Sequence, residues 1–262
     1  MNNLIKYIPK NRYLSNFCQT YLNYYKNENN SDMSTNGELW FLRKILLDCD
    51  VVFDVGANVG DWSNAVISLN TSCSLYSFEP SLTTFNKLRL NISSEKAILK
   101  NIGLGSVLEK SLLHVNENRD TLSSLFCREG LNLPDSLNKL STEVVSIERL
   151  DEFCRHQNIA RIDFLKMDVE GFEMEVLIGS GKFLSEKRIN IIQFEYGGAN
   201  IDAKVLLKDL MGLLISSGYK IYKIHSNFLE HIESYNQTLE NFQYKNFIAV
   251  SENYHLPKSL CV

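Results

Sequence analysis

Nowhere does this sequence run to the roughly 20 consecutive apolar residues that a membrane-crossing helix needs, and nowhere do Lys and Arg gather into a dense cluster. The first absence excludes a protein built on transmembrane helices. The second, with a formal charge of −4 from 27 basic and 31 acidic side chains, leaves no basic field to draw in a nucleic acid. Metal-ligand cysteine spacing is missing too: Cys18, Cys49, Cys73, Cys127, Cys154 and Cys261 are scattered, and three of them fall in or beside predicted core elements. They read as reduced thiols of a cytoplasmic protein. Residues 1–15 alternate polar and apolar and contain Pro9, unlike the continuous apolar core of a signal peptide. There is no internal repeat and no low-complexity linker.

What is present fits one decorated α/β domain. The 262 residues suffice to bury a large core, and the 44% hydrophobic and 22% charged fractions are ordinary for a globular chain. Residues 1–37, rich in Asn and Tyr with apolar positions at irregular helical spacing, read as an N-terminal helical extension of one or two short helices. Residues 38–262 read as the main domain. From Glu38 the pattern alternates. Helical stripes fall at 38–47, 61–69, 82–92, 150–156, 173–179 and 203–216, and apolar, β-branched runs at 51–55, 74–78, 97–99, 162–167, 189–194, 219–224 and 244–250. Strands alternating with helices imply right-handed crossovers and a mainly parallel, Rossmann-like sheet. The rhythm breaks at 104–147, where 111–115 and 143–147 look like hairpin strands. A polar loop at 225–243 links the last two strands, which are expected to pair antiparallel at the sheet edge.

In an open α/β sheet the ligand lies beyond the carboxyl ends of the strands. The first such end reads Asp54-Val55-Gly56-Ala57-Asn58-Val59-Gly60. Its glycines permit a tight turn, and the following helix offers an N-terminus to an anion. A dinucleotide site needs glycine where Asn58 stands, because the backbone must nearly touch a pyrophosphate. Asp54 is also an awkward neighbour for two phosphates. S-adenosylmethionine (SAM) suits the loop better: Asp54 can meet its ammonium, directly or through water, and the amides of Gly56, Ala57, Asn58 and Gly60 can meet its carboxylate. At the second strand end, Glu79 before Pro80 can accept both hydroxyls of a ribose. Its plainer alternative is a helix-start glutamate. Asn101 and Ile102, after the third strand, fall where an adenine would lie.

Together, Asp54–Gly60, Glu79-Pro80 and Lys166-Met167-Asp168-Val169-Glu170-Gly171-Phe172-Glu173 resemble the motifs of FkbM-type methyltransferases, over about residues 38–250. The resemblance implies a class I methyltransferase fold with a seven-stranded sheet and SAM on the first loop. It also implies methyl transfer, usually to a hydroxyl oxygen, often of sugars in surface polysaccharides, glycolipids or secondary metabolites. Residues 1–37 lie outside it and could help form the acceptor site.

A hydroxyl attacks poorly until its proton is removed, so a positioned base is expected. Asp168 follows one strand, close to where the methyl should emerge; Glu170 is two residues on, and Glu195 ends the neighbouring strand. Crowded carboxylates need a cation, a proton or water. Asp168 and Glu195 could therefore ligate a divalent metal such as Mg²⁺, or one carboxylate could be raised in pKa and act as the base. Plainer alternatives are a helix N-terminal anion for Glu170, a helix residue for Glu173 and charge balance for Lys166. His225 is a second candidate base, or a polar residue starting a loop. The stretch Asp120-Thr121-Leu122-Ser123-Ser124-Leu125 resembles a serine-containing segment between the family's hairpin strands, and Tyr196, before Gly197-Gly198, could stack on a sugar. The expected function is SAM-dependent O-methylation of a small-molecule or glycan acceptor. The alternatives are N-methylation, a non-sugar acceptor, a NAD-dependent oxidoreductase or epimerase, and a non-catalytic SAM- or nucleotide-binding module. Oligomeric state is not readable.

Overall fold

Val51-Val52-Phe53-Asp54-Val55 forms the central strand because its residues alternate between two buried faces. Val52 packs among Phe41, Trp62 and Phe164 on one side, while Phe53 and Val55 pack against Phe78, Phe153 and Leu165 on the other. The rings of Phe53, Phe78 and Phe153 lie 4.9 to 5.9 Å apart in tilted and edge-to-face pairs. Burying each such side chain contributes about 1.5–3 kcal/mol.

The computed structural model describes residues 10–116, 123–128 and 140–261. A helix α1 (Arg12–Lys26) precedes α2 (Glu38–Ile45) and β1 (Val51–Val55). Then follow α3 (Asp61–Leu69), β2 (Ser74–Phe78), α4 (Leu82–Asn91), β3 (Ala97–Lys100) and β4 (Gly103–Gly105). The middle holds β5 (Glu109–Asn116), β6 (Leu140–Arg149), α5 (Leu150–His156), β7 (Ile162–Met167), α6 (Glu173–Gly179) and α7 (Gly181–Ser185). The chain closes with β8 (Ile189–Tyr196), α8 (Ala199–Ala203), α9 (Leu207–Ser216), β9 (Tyr219–Ile224), β10 (Leu229–Ile232) and β11 (Lys245–Ser251). The main sheet runs β10-β9-β11-β8-β7-β1-β2-β3, and β4-β6-β5 form a second, three-stranded sheet. Strands β3, β2, β1, β7 and β8 are parallel; β11 runs antiparallel to both β8 and β9. This is the Rossmann-like α/β arrangement expected.

One detail differs from expectation. The main sheet has eight strands rather than seven, because part of the polar loop after β9 folds back as β10 and pairs antiparallel with it. The last two major strands pair antiparallel toward one end of the sheet, as expected, with only β10 beyond them and β11 inserted between β8 and β9. Residues of β11 are all buried, as suits a strand paired along both edges, by β8 and by β9. The N-terminal segment carries the helix α1, within the expectation of one or two short helices. Its eight apolar side chains occupy one half of the circumference and its polar ones the other, with none buried.

Candidate active site

The sheet register builds the site. Val55 is level with Phe78 and with Met167, and Met167 with Phe194, so the next residue in each strand, Gly56, Glu79, Asp168 and Glu195, emerges at one rim. A cavity of about 820 Å³ opens there, and it is walled in part by the loop after β1, by Glu79, by Asp168–Glu170 and by Glu195.

At the β1–β2 end, close approach dictates the sequence. Gly56 has φ of +79°, and a Cβ there would lie 1.8 Å from the carbonyl oxygen of Asp168. The amides of Gly56 and Ala57 donate to the Phe78 carbonyl, that of Asn58 to Glu79 Oε2 at 3.0 Å, that of Val59 to the Asn58 side chain, and that of Gly60 to the Ala57 carbonyl. Glu79 Oε1 also accepts from the Ser81 amide at 2.9 Å, so this carboxylate fastens the loop to the start of α4. Burial pushes Glu79 up to about 7, against those two N–H donors that favour its charged form. Both readings of Glu79 thus meet in one residue: it organises the helix start and still lines the cavity.

The remaining cofactor candidates divide. Pro80 lines the cavity, but Asn101 and Ile102 do not. Asn101 Nδ2 donates to the carbonyls of Glu79 and Pro80, both at 2.9 Å, and the wall beyond is made by Gly103 and Leu104. Asp54 is fully buried and absent from the cavity wall. Its Oδ2 accepts from Ser63 at 2.7 Å, while Oδ1 has no hydrogen-bond partner among the described residues and lies 3.6 Å from the Lys166 ammonium. Burial raises the Asp54 carboxyl above its usual range. Lys166, expected only to balance charge, does line the cavity and also reaches Asp168 Oδ2 at 3.2 Å. Trp62 lines the same wall, and its indole N–H is unpartnered among the described residues.

At the β7–β8 end three carboxylates converge: Asp168, Glu170 and Glu195 each bring an oxygen within 4.8 Å of the others. Glu170 takes the left-handed conformation, φ +50°, and pairs with Arg128 at 2.5 Å. It is therefore not a helix N-terminal anion. That position belongs to Glu173, the first residue of α6, whose Oε1 turns back to accept from the amides of Val169 and Gly171. Burial, then the charge of Asp168, pushes Glu170 up to about 8; burial pushes Glu173 to about 7. Burial, then repulsion by Asp168 and Glu170, pushes Glu195 well above the carboxylate range, and a hydrogen bond with Asp168 adds to the rise. Of the serine stretch, residues 120–122 lie outside the described residues. Ser123, Ser124 and Leu125 line the cavity, and Ser124 donates to the Glu170 carbonyl at 2.7 Å.

Two expectations are corrected. His225 is absent from the cavity wall: it lies in the β9–β10 turn, stacks on Phe228 and pairs with Glu230 at 2.8 Å. The reason is topological, because β11 separates β9 from β8. Tyr196 is fully buried with its hydroxyl on Glu240, since successive strand residues face opposite ways and Glu195 takes the cavity side. The aromatic phenol in the wall is instead Tyr244. Glu38 was also missed. It lines the cavity from α2 and accepts from Asn36, Gln193 and Asn246.

Hexuronic acid methyltransferase AglP of Haloferax volcanii is 28% identical over 163 residues, covering 61% of this chain and 62% of that protein. The 31-O-demethyl-FK506 methyltransferase FkbM of Streptomyces tacrolimicus is 28% identical over 156 residues, 50% of this chain and 59% of that protein. The chain thus spans less than two thirds of the length of these curated relatives. A solved structure of methyltransferase FkbM from Methylobacillus flagellatus overlaps 77% of this chain and 44% of its own, at 15% identity and a TM-score of 0.48. The description "Methyltransferase FkbM domain" matches residues 54–221, from the buried aspartate of β1 into β9, and on that match the chain belongs to the FkbM methyltransferase family.

Proposed function

We propose that this chain is a SAM-dependent O-methyltransferase acting on a hydroxyl of a sugar or glycosylated molecule, with the unit from about residue 38 as its catalytic domain. The observation that carries the reading is the single cavity joining Glu79 and the glycine loop at one end to Asp168 and Glu195 at the other. Family membership supports methyl transfer. The relatives' names, one referring to a hexuronic acid and the other to a 31-O position, support an oxygen acceptor and, for the first, a sugar. Six unpaired cysteines suit a reducing compartment such as the cytoplasm. The net charge of −4 suits a small or glycan acceptor better than a nucleic acid.

The residues fit SAM. Each Glu79 oxygen spends one lone pair on a backbone N–H and keeps another for a ribose hydroxyl. Because the loop amides already have acceptors, the Lys166 ammonium and the free Trp62 indole N–H are better placed than the loop to hold the cofactor's carboxylate. Bound there, the cofactor supplies an electrophilic methyl on its sulfonium. Asp168 receives the acceptor's proton, and Glu195, whose carboxyl is raised well above its usual range, orients Asp168 through their shared hydrogen bond. Alignment of the acceptor oxygen behind the methyl supplies much of the rate.

Three carboxylate oxygens also suit Mg²⁺. Glu170, however, already pairs with Arg128, and Asp168 with Lys166. We assign the remaining excess charge to a proton, so EDTA should leave turnover within about twofold. A strong requirement for Mg²⁺ would reverse that assignment. The cofactor is tested by thermal denaturation with SAM, S-adenosylhomocysteine and NAD. A ligand at about 100 times its dissociation constant adds roughly 2.7 kcal/mol. Stabilisation by SAM and its product alone is expected; stabilisation by NAD alone would overturn the reading.

A further inference from the structure

Helix α1 has the features of a surface seeking a partner. Tyr13, Phe17, Tyr21 and Tyr24 run down one side, flanked by Leu14 and Tyr25, while Ser15, Asn16, Gln19 and Asn23 face the other way. At about 100° per residue, no polar side chain of the helix falls among the apolar ones. Yet none of its residues is buried: Tyr13 is 85% exposed and Tyr24 84%. Tyr21 stacks on Tyr25, within the helix itself.

The sequence up to the end of this helix carries charge of one sign. Lys6, Lys10, Arg12 and Lys26 fall in the first 27 residues, and the first acidic residue is Glu28. The rest of the chain keeps 23 of the 27 basic and all 31 acidic side chains, a net −8. A basic, low-hydrophobicity amphipathic helix with an aromatic face matches the chemistry of an anionic lipid interface. There the tyrosine rings sit at headgroup depth and the cations meet lipid phosphates.

We propose that α1 docks this protein, reversibly and in the plane of the interface, on an anionic membrane surface. The helix ends at the cavity's side of the molecule. Asn27 caps it in the left-handed conformation, φ +52°, and its Nδ2 donates to the carbonyls of Asn36 and of Ile224 at the end of β9. A few residues on, Ser31–Met33 line the cavity. Docking of α1 therefore holds the cavity rim close to the bilayer. Vesicle binding does not depend on the methyl-transfer reading and is measured apart from it.

The test is flotation of the full chain with phosphatidylcholine–phosphatidylglycerol vesicles and with pure phosphatidylcholine vesicles. Binding to the anionic vesicles is expected, roughly tenfold weaker or more on the neutral ones, and weakened by salt. Phe17→Ser with Tyr21→Ser, and separately Arg12→Glu with Lys26→Glu, should each weaken it by roughly tenfold or more, with Tm and the SAM-induced thermal shift unchanged. Wild-type protein that fails to float, or variants that float as well as wild type, would overturn the proposal. So would a concentration-dependent dimer in the absence of vesicles that Phe17→Ser abolishes, since the face would then belong to a second copy.

Discussion

At the carboxyl ends of β1 and β2, the loop amides and both oxygens of Glu79 are hydrogen-bonded within the protein. Two strands away, Asp168, Glu170 and Glu195 crowd together with one arginine and one lysine. The first half is set by backbone geometry: Gly56 exists because the Asp168 carbonyl leaves no room for a Cβ. The second half is set by side-chain charge and stays under electrostatic tension, which shows in the raised carboxyls of Glu170 and Glu195. The difference matches two tasks. A cofactor with a fixed shape is best met by a fixed wall, whereas moving a proton requires groups whose protonation is finely poised.

Substitutions that separate the two tasks test this contrast. Asp168→Asn removes the proposed proton acceptor while keeping shape. Turnover is expected to fall about 10²–10⁴-fold, with SAM affinity by calorimetry within about threefold of wild type. Near-normal turnover would remove Asp168 from the chemistry. Gly56→Ala attacks the other half. Its φ of +79° and the clash with the Asp168 carbonyl should cost at least about 2 kcal/mol of stability in denaturant titrations and weaken SAM binding with it. A variant as stable as wild type would show that the close approach is not obligatory.

How legible each half was in the sequence follows from the same contrast. Asp54–Gly60, Glu79 and Asp168–Glu173 could be read because they follow strands directly, and adjacent parallel strands bring consecutive motifs to one rim. Glu38, Trp62 and Tyr244 could not, since each reaches the cavity from an element that looks ordinary in isolation: the first turn of a helix for Glu38 and for Trp62, a loop before β11 for Tyr244. Tyr196 misled because strand residues alternate faces, and the face can be assigned only once the neighbours are known. His225 misled because strand order is not sequence order. Placed at the edge, β11 would leave β9 beside β8; inserted, it moves His225 one strand farther away.

Glu79→Gln sharpens the cofactor half. It replaces an acceptor of two backbone N–H groups with an amide that can accept only one of them well. Loss of a charged acceptor costs about 1.5–3 kcal/mol, so SAM should bind roughly ten- to a hundredfold more weakly, with turnover at saturation nearly unchanged. If turnover fell and affinity held, Glu79 would belong to the chemical half and the division would be wrong.

The last expected effect is on stability against pH, and its sign is opposite to the usual carboxylate case. Glu79 and Glu173 are raised to about 7 and Glu170 to about 8, from an ordinary 4.5. Between those limits the folded chain holds protons that the unfolded chain has released. Their contribution to stability is therefore fully present below about 4.5 and is lost as pH rises through 7 and 8. Denaturant midpoints of the ligand-free chain should accordingly fall as pH rises from about 5.5 to 8.5, and Glu170→Gln should flatten the upper part of that slope. A midpoint that rose with pH would mean these carboxylates are ionised and paired when folded, and the charged half of the cavity would then need a bound cation rather than protons to hold it together.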